Sequence, residues 1–210
     1  MTALFDTIFP EDCQSCGAPA GAGGLCGACD QHIPGLLSPF DAPPSFRTAW
    51  ALGGYDGPLG DLIRRGKYRP DPMVFRRLGQ RLAQAANGRL PRVDAVCWVS
   101  VPRQRRWKRG FDQSEMLARP VARVLGVPMF DALIRVNPEE QAGRMRHERA
   151  EGARGAFRLR PSLRIRPLPR AVLLIDDVVT TGSTARACGD ELLAGGVRRA
   201  HLLCVAGAHV

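Results

Sequence analysis

Residues 171–184, AVLLIDDVVTTGST, decide the fold of this chain. An apolar run of this length and branching predicts a strand buried on both faces. The run ends in Asp176 and Asp177, and the loop that follows has four hydroxyls around one glycine: Thr180, Thr181, Gly182, Ser183 and Thr184. Gly182 allows the backbone to turn and approach a ligand closely, and Ser183 or Thr184 is expected to cap a helix. Such a loop binds phosphate, and the acidic pair suits hydroxyls or hydrated Mg²⁺, so the stretch predicts a site for a phosphorylated sugar.

The same stretch resembles the motif with which type I phosphoribosyltransferases bind 5-phosphoribosyl-1-pyrophosphate (PRPP). The resemblance implies that Asp176 and Asp177 contact the ribose hydroxyls and that the loop from Thr180 to Thr184 holds the 5′-phosphate, with Mg²⁺ as the accompanying ion. An ordinary strand, turn and helix is the alternative. We favour the PRPP motif because the match is fourteen residues long and each part has a mechanism.

Four cysteines near the N-terminus form two C-x2-C pairs: Cys13, Cys16, Cys26 and Cys29. Four thiolates in this pattern complete the tetrahedral site that Zn²⁺ favours, and they leave no open position, so zinc here would be structural. Few residues of this region could build a core without a metal. Redox-active or incidental thiols are the alternative. The remaining cysteines are expected to be small core residues: Cys97, Cys188 and Cys204.

The charge of the chain is unevenly distributed. Residues 1–60 carry one arginine and six acidic residues, whereas residues 61–210 carry 29 basic and 14 acidic residues. All the basic residues except Lys67 and Lys108 are arginines, which bind phosphate in bidentate fashion. A basic body suits diphosphate, nucleic acid or both, although an arginine-rich proteome would give the same composition. No apolar run approaches the roughly 18 residues of a membrane span, and no basic leader precedes residue 6, so we expect a cytoplasmic protein.

A second candidate phosphate segment follows the strand predicted over residues 93–99. By analogy with open α/β sheets, which bind ligands at the carboxyl ends of their strands, the pyrophosphate loop is expected at Ser100, Val101, Pro102 and Arg103. Five cationic side chains lie between residues 103 and 109, among them Lys108 and Arg109. A solvated loop is the alternative, with Trp107 and Phe111 packed in a core or hood.

Local signals place the remaining elements. Helices are predicted from Pro58, after the Asp71-Pro72 cap and after Asp112, and strands near residues 50–55, 129–136, 155–159 and 201–206. Residues 33–47 contain four prolines and are interpreted as an irregular linker. Residues 137–151 are polar and basic, and Arg144 is the candidate there for closing over a diphosphate. A mobile lid and a solvated helix or disordered loop are the alternatives for this segment.

Taken together, these motifs resemble the ComF family of competence-associated proteins. They occur in the family's order: the four-cysteine module, residues 109–114 (RGFDQS), Gln141 with Arg144 and Arg149, residues 155–157 and the acidic motif with its loop. The chain departs from the family in having Asp112 in place of the usual asparagine, and its Lys67-Tyr68 replaces the usual Lys-Phe. The resemblance implies an α/β, type I phosphoribosyltransferase-like fold, mostly parallel and flanked by helices, with a small N-terminal zinc ribbon. We expect the zinc module and linker in residues 1–45 and the phosphoribosyltransferase-like domain in residues 46–210.

Three functional hypotheses follow. In the first, the chain binds PRPP with Mg²⁺ and transfers the phosphoribosyl group, with Arg103 on the leaving diphosphate and Arg144 or Lys108 closing over it. In the second, the fold serves as a scaffold or PRPP sensor in a protein that binds single-stranded DNA or a competence helicase or related DNA-processing protein. In the third, the acidic zinc module docks a partner or packs against the basic body. The family implies a role in DNA uptake and leaves the reaction open.

Overall fold

A computed structural model describes residues 11–13, 16–20, 25–68, 71–136, 155–163 and 167–208. In chain order the elements are β1 (Glu11–Asp12), β2 (Pro19–Ala20), α1 (Gly27–Gln31), β3 (Ser38–Phe40), β4 (Ala49–Gly54), α2 (Pro58–Tyr68), α3 (Pro72–Ala86), β5 (Ala95–Trp98), α4 (Arg103–Arg109), α5 (Gln113–Leu125), β6 (Leu133–Arg135), β7 (Phe157–Leu159), a 3₁₀ turn (Pro161–Leu163), β8 (Ala171–Val179), α6 (Ser183–Ala194) and β9 (Arg199–Gly207). Within these residues, no helix combines the length and the hydrophobicity that a bilayer span requires.

The main sheet has five strands in the order β3-β4-β9-β8-β5. The edge strand β3 runs antiparallel to β4, and the other neighbours pair in parallel. The carboxyl ends of the parallel strands therefore lie at one edge of the sheet, where open α/β sheets bind ligands. The mostly parallel sheet flanked by helices is the predicted α/β architecture.

Strand β8 lies inside the sheet and is covered on both faces. Leu173 and Ile175 belong to a core cluster with residues of α2, α3 and α5. Leu174 packs on the other side in a cluster with Cys188 and Leu192 of α6. The alternation follows from the period of two in a strand, and it explains why the whole apolar run is buried, as the sequence predicts.

Local capping residues determine where α3 and α5 begin. The Asp71 carboxylate accepts a hydrogen bond from the Met73 N–H at 2.8 Å, and proline stands at the first position of α3. The Asp112 carboxylate accepts one from the Glu115 N–H at 3.2 Å at the start of α5. Both starts were predicted from sequence and are confirmed.

Two segments differ from the expectations. Ser38–Phe40, inside the predicted linker, forms β3 because its backbone pairs with Ala49–Ala51 of β4. Arg103–Arg109, for which a solvated loop was the alternative, forms α4, which ends at Gly110 in the left-handed conformation. The strands predicted near residues 129–136 and 155–159 are confirmed as β6 and β7, and they pair with each other as a separate antiparallel sheet.

Candidate functional site

The site lies where β5 ends beside β8. Trp98 is paired with Ile175 in parallel register, and the Val99 N–H donates to the Ile175 carbonyl at 3.0 Å. The segment after β5 and the acidic pair of β8 therefore lie at the same edge of the sheet. The two segments that the sequence assigned to one ligand are adjacent.

Asp176 and Asp177 lie within β8, whereas the sequence placed them at its end. The strand continues to Val179 because Val178 and Val179 still pair with β9. Both residues are only 6% exposed. The Asp176 Oδ1 accepts the Asp177 N–H at 2.8 Å, so the first carboxylate stabilises the backbone that presents the second.

Asp177 has two side-chain partners that sequence reasoning missed. Its Oδ2 lies 2.9 Å from the Lys67 Nζ of α2 and accepts a hydrogen bond from the Gln113 Nε2 of α5 at 3.2 Å. One signal in the sequence pointed to Lys67, which is one of only two lysines in an arginine-rich chain. Gln113 carries no comparable signal.

Burial dominates the electrostatics of the pair. Desolvation raises the pKa of Asp176 well above its usual range, and the neighbouring Asp177 charge raises it further. The Lys67 ammonium acts in the opposite direction and lowers the pKa of Asp176. A buried carboxyl pair of this kind suits neutral hydroxyls or a cation as a ligand and disfavours a bare anion.

The loop from Thr180 to Thr184 begins α6 by a different cap from the predicted one. Gly182 is the N-cap residue, with φ +71°, and no side chain caps the helix. The expected Ser183 or Thr184 cap is wrong, because Ser183 is already the first helical residue. The left-handed conformation at Gly182 is one that side-chain-bearing residues rarely adopt. Thr181 instead holds the turn, with its Oγ1 accepting the Ser183 N–H at 3.4 Å and donating to the Ser183 Oγ at 3.1 Å.

A cavity of about 280 Å³ lies against this loop. Its walls are the loop from Val179 to Ser183, the side of α6 at Arg186, and the segment after β3. A Cβ at Gly182 would lie 3.0 Å from the Pro43 Cγ, so the glycine is needed for space as well as for conformation. The loop N–H groups at the start of a twelve-residue helix are suited to an anion.

The predicted pyrophosphate segment has much of its hydrogen-bonding capacity engaged. The Ser100 Oγ donates to the Leu133 carbonyl at 2.7 Å, and the Val101 N–H donates to the Asp112 Oδ2 at 3.2 Å. Burial raises the pKa of Asp112. The hydrogen bonds that it accepts from the Glu115 and Val101 N–H groups act in the opposite direction and lower this pKa. Asp112 therefore caps its helix and ties down the loop. Pro102 is the N-cap residue of α4, and Arg103 begins that helix, with its side chain outside the described part of the structure.

Helix α4 presents a basic surface beside this segment. Trp107 is 91% exposed, so the alternative of core packing is wrong for it, whereas Phe111 packs on Phe75 with ring centroids 5.8 Å apart. Lys108 is exposed. Arg109 points back to the site, because its Nη1 donates to the Gln113 Oε1 at 3.0 Å.

A second, larger cavity of about 1000 Å³ adjoins α4 and the hairpin. Its lining combines Ser100 and Gln104 with Trp107 and the arginines at 106, 135 and 160. The predicted Arg144 and its proposed lid lie outside the described residues.

The four predicted metal ligands meet at one point. The sulfur atoms of Cys13, Cys16, Cys26 and Cys29 all lie within 4.8 Å of one another, with the Cys16 and Cys26 Sγ atoms 3.6 Å apart. Zn–S bonds of about 2.3 Å in a tetrahedron place sulfur atoms about 3.8 Å apart. The cluster therefore fits a metal such as zinc.

The cysteine module is joined to the rest of the chain by polar contacts. Asp30, next to Cys29, forms ion pairs with Arg77 at 3.1 Å and with Arg81 of α3. The Arg65 Nη1 of α2 donates to the Cys13 carbonyl at 3.4 Å. The module therefore contacts α2 and α3, two of the three helices that cover this face of the sheet.

Comparison with known proteins agrees with this geometry. A model of the phosphoribosyl transferase domain matches residues 112–209. The chain is 30% identical to the DNA utilization protein YhgH of Salmonella typhi over 204 residues, which cover 92% of this chain and 82% of the relative. It is 28% identical to competence protein F of Haemophilus influenzae over 186 residues, which cover 82% and 80%.

Solved structures with a similar fold include the adenine phosphoribosyl transferase of Trypanosoma brucei, at 14% identity and a TM-score of 0.43, covering 82% of this chain and 75% of that one. The relatedness over most of the chain, and not this structural likeness, identifies the protein. The chain belongs to the ComF family, and it contains a phosphoribosyl transferase domain.

Proposed function

We propose that this protein binds PRPP together with Mg²⁺ at the carboxyl end of β8. The observation that carries the proposal is the continuity of the acidic pair, Asp176 and Asp177, with a glycine-capped loop at the start of α6. The pair offers acceptors to the ribose hydroxyls, and the loop from Thr180 to Thr184 offers N–H and hydroxyl groups to the 5′-phosphate. The acidic pair and the neighbouring segment suit a divalent ion, which would neutralise the diphosphate.

The reaction that this arrangement supports is phosphoribosyl transfer. The bond between the anomeric carbon and the diphosphate oxygen breaks, and the diphosphate leaves with the bonding electrons. An acceptor nitrogen or hydroxyl forms the new bond to this carbon, and its proton passes to the departing diphosphate or to water. Asp176 and Asp177 would support the positive charge that develops on the ribose. We assign the leaving diphosphate to the segment from Ser100 to Arg103, with Lys108 and Arg109 as further cations beside it.

The test of PRPP binding is calorimetry with and without Mg²⁺. Asp177→Asn keeps the shape of the side chain and removes its charge, and we expect PRPP affinity to fall by at least tenfold. Asp61→Asn, at an exposed acid of α2, is the matched control and should bind as the wild type does. A wild-type protein that binds no PRPP with Mg²⁺ would overturn the proposal. Release of pyrophosphate on adding candidate acceptors then separates an enzyme from a PRPP sensor.

We further propose a role in DNA uptake and in the handling of incoming single strands in the cytoplasm. Two relatives are named a DNA utilization protein and a competence protein. The specific observation in this chain is the exposed Trp107 among the cations of α4, beside the larger cavity. Exposed aromatic rings stack on bases, and arginines contact the backbone phosphates. A competence helicase or related DNA-processing protein is the protein partner we propose to seek.

Fluorescence anisotropy with labelled single-stranded DNA tests this surface. Trp107→Ala should weaken binding about 10- to 100-fold, because stacking on one base contributes about 1–3 kcal/mol, without changing the salt dependence. Arg106→Ala should reduce the slope of log affinity against log salt by about one. Arg123→Ala, at an exposed arginine of α5, is the control. Absence of binding at low salt rejects the DNA role and leaves the PRPP proposal standing.

A further inference from the structure

Asp177 receives both of its described side-chain partners on one oxygen atom. The Lys67 Nζ approaches from the last turn of α2 at 2.9 Å, and the Gln113 Nε2 from the first residue of α5 at 3.2 Å. Both contact Oδ2. The described residues give Oδ1 no hydrogen bond, so this is the oxygen that remains for a ligand hydroxyl.

The Gln113 amide is itself fixed in orientation. Its Oε1 accepts from the Arg109 Nη1 at 3.0 Å while its Nε2 donates to Asp177. The two contacts agree on which end of the amide is oxygen. Arg109, Gln113, Asp177 and Lys67 therefore form one chain of polar contacts across the site, and its members come from three helices and a strand.

Lys67 also changes the charge that a ligand meets. Two carboxylates side by side repel a polyanion such as PRPP, and the ammonium offsets one of them. Lys67 is partly buried and Asp177 is almost fully buried, where solvent screening is weaker than at the surface. The neighbouring Asp176 lies within the field of the same ammonium.

We propose that Lys67 is a positioning residue for PRPP binding: with Gln113 it turns the Asp177 Oδ1 toward the ribose hydroxyls, and its charge reduces the amount of Mg²⁺ that binding requires. This inference rests on the proposed PRPP function. It assigns to α2, which precedes the matched phosphoribosyl transferase domain, a direct part in preparing the site.

The two roles of Lys67 predict different dependences on Mg²⁺. Lys67→Met removes the charge, so PRPP affinity should fall about 10- to 100-fold at limiting Mg²⁺, the loss expected for a hydrogen bond to a charged group. The loss should be smaller at saturating Mg²⁺, because the metal then supplies the missing positive charge. Gln113→Leu removes orientation and leaves the charge, so its loss should be equal at both Mg²⁺ levels. Lys67→Arg should recover most of the affinity at limiting Mg²⁺.

The experiment is calorimetric titration of PRPP into the full chain at limiting and saturating Mg²⁺. Arg64→Met is the matched control, since Arg64 lies on the same helix in an exposed ion pair with Asp61, and it should bind PRPP as the wild type does. If Lys67→Met does not fold by thermal melting, Lys67→Gln replaces it and the same Mg²⁺ comparison decides. Wild-type binding with an unchanged affinity and Mg²⁺ dependence in the Lys67 variant overturns this inference alone. Failure of the wild type to bind PRPP overturns the proposed function instead.

Discussion

Two ion pairs of Asp30 add to the apolar packing that joins the cysteine module to the helices. The Asp30 carboxylate pairs with Arg77 and Arg81, and the three side chains are 18%, 30% and 33% exposed. Asp30→Asn keeps the size of the side chain and removes the charge from both pairs. The variant therefore tests whether the module is held by these contacts.

The expected cost lies between that of a surface ion pair and that of a buried one. Exposed pairs contribute about 0–1 kcal/mol, whereas hydrogen bonds to charged groups contribute about 1.5–3 kcal/mol when shielded. Loss of the two partly shielded pairs should therefore lower the free energy of unfolding by about 2 kcal/mol. In a chain of this size, each kcal/mol lowers the melting temperature by about 2–4 °C, so we expect a decrease of about 4–8 °C.

Differential scanning calorimetry of the zinc-loaded protein measures this change. Asp61→Asn is the control, because the Asp61 side chain is 50% exposed and pairs with Arg64 within one helix, so its removal should cost less than about 0.5 kcal/mol. Release of zinc to a chromogenic chelator should be faster in Asp30→Asn than in the control. Equal melting temperatures and equal zinc release in the two variants would refute the reasoning.

Three more predictions follow from the structure. Removing the metal with a chelator should lower the melting temperature, and adding Zn²⁺ should restore it; an unchanged melt would show that the cysteines bind no structural metal. Because burial and the Asp177 charge raise the pKa of Asp176, this carboxyl destabilises the fold increasingly as the pH rises above its ordinary pKa of about 3.8,. Asp176→Asn should therefore melt higher than the wild type near neutral pH, with the gain lost in acid, while PRPP binding weakens. Gly60→Ala should cost at least about 3 kcal/mol, because its Cβ would lie 1.7 Å from the Tyr55 carbonyl oxygen,; Gly35→Ala, with nothing within 4 Å, is the control in thermal melts.

The sequence predicted those features whose cause is local. An apolar run beside a hydroxyl-rich loop is enough to predict β8 and α6, and an aspartate before a proline or a polar turn is enough to predict the starts of α3 and α5. The cysteine cluster was predictable for the same reason, since two C-x2-C pairs need only one turn each to bring their sulfurs together. The predicted ligand set Cys13, Cys16, Cys26 and Cys29 is compatible with the sulfur positions.

Features that depend on distant contacts were missed. Lys67 lies 110 residues from Asp177 in the chain, and only the packing of α2 against the sheet brings its ammonium to the carboxylate. Strand β3 forms because β4 offers a free edge, although Pro39 within it favours a loop,. The cap of α6 was misassigned because the left-handed conformation at Gly182 starts the helix one or two residues before the expected Ser183 or Thr184 cap. The hydroxyl residues on both sides of the glycine made those caps the natural choice.

Part of the opposite charge of the two ends of the chain is paired within one molecule. From the sequence, the net negative charge of residues 1–60 was expected to face either a docking partner or the basic body itself. Asp30 forms ion pairs with two arginines of α3, which belong to that body. Helix α2 then connects the module to the acidic pair, because Arg65 holds the Cys13 carbonyl while Lys67 holds Asp177. A cysteine module that only recruited a partner would not need these contacts. The geometry therefore favours a module that keeps α2 and α3 in place, and through Lys67 it would support the proposed PRPP site.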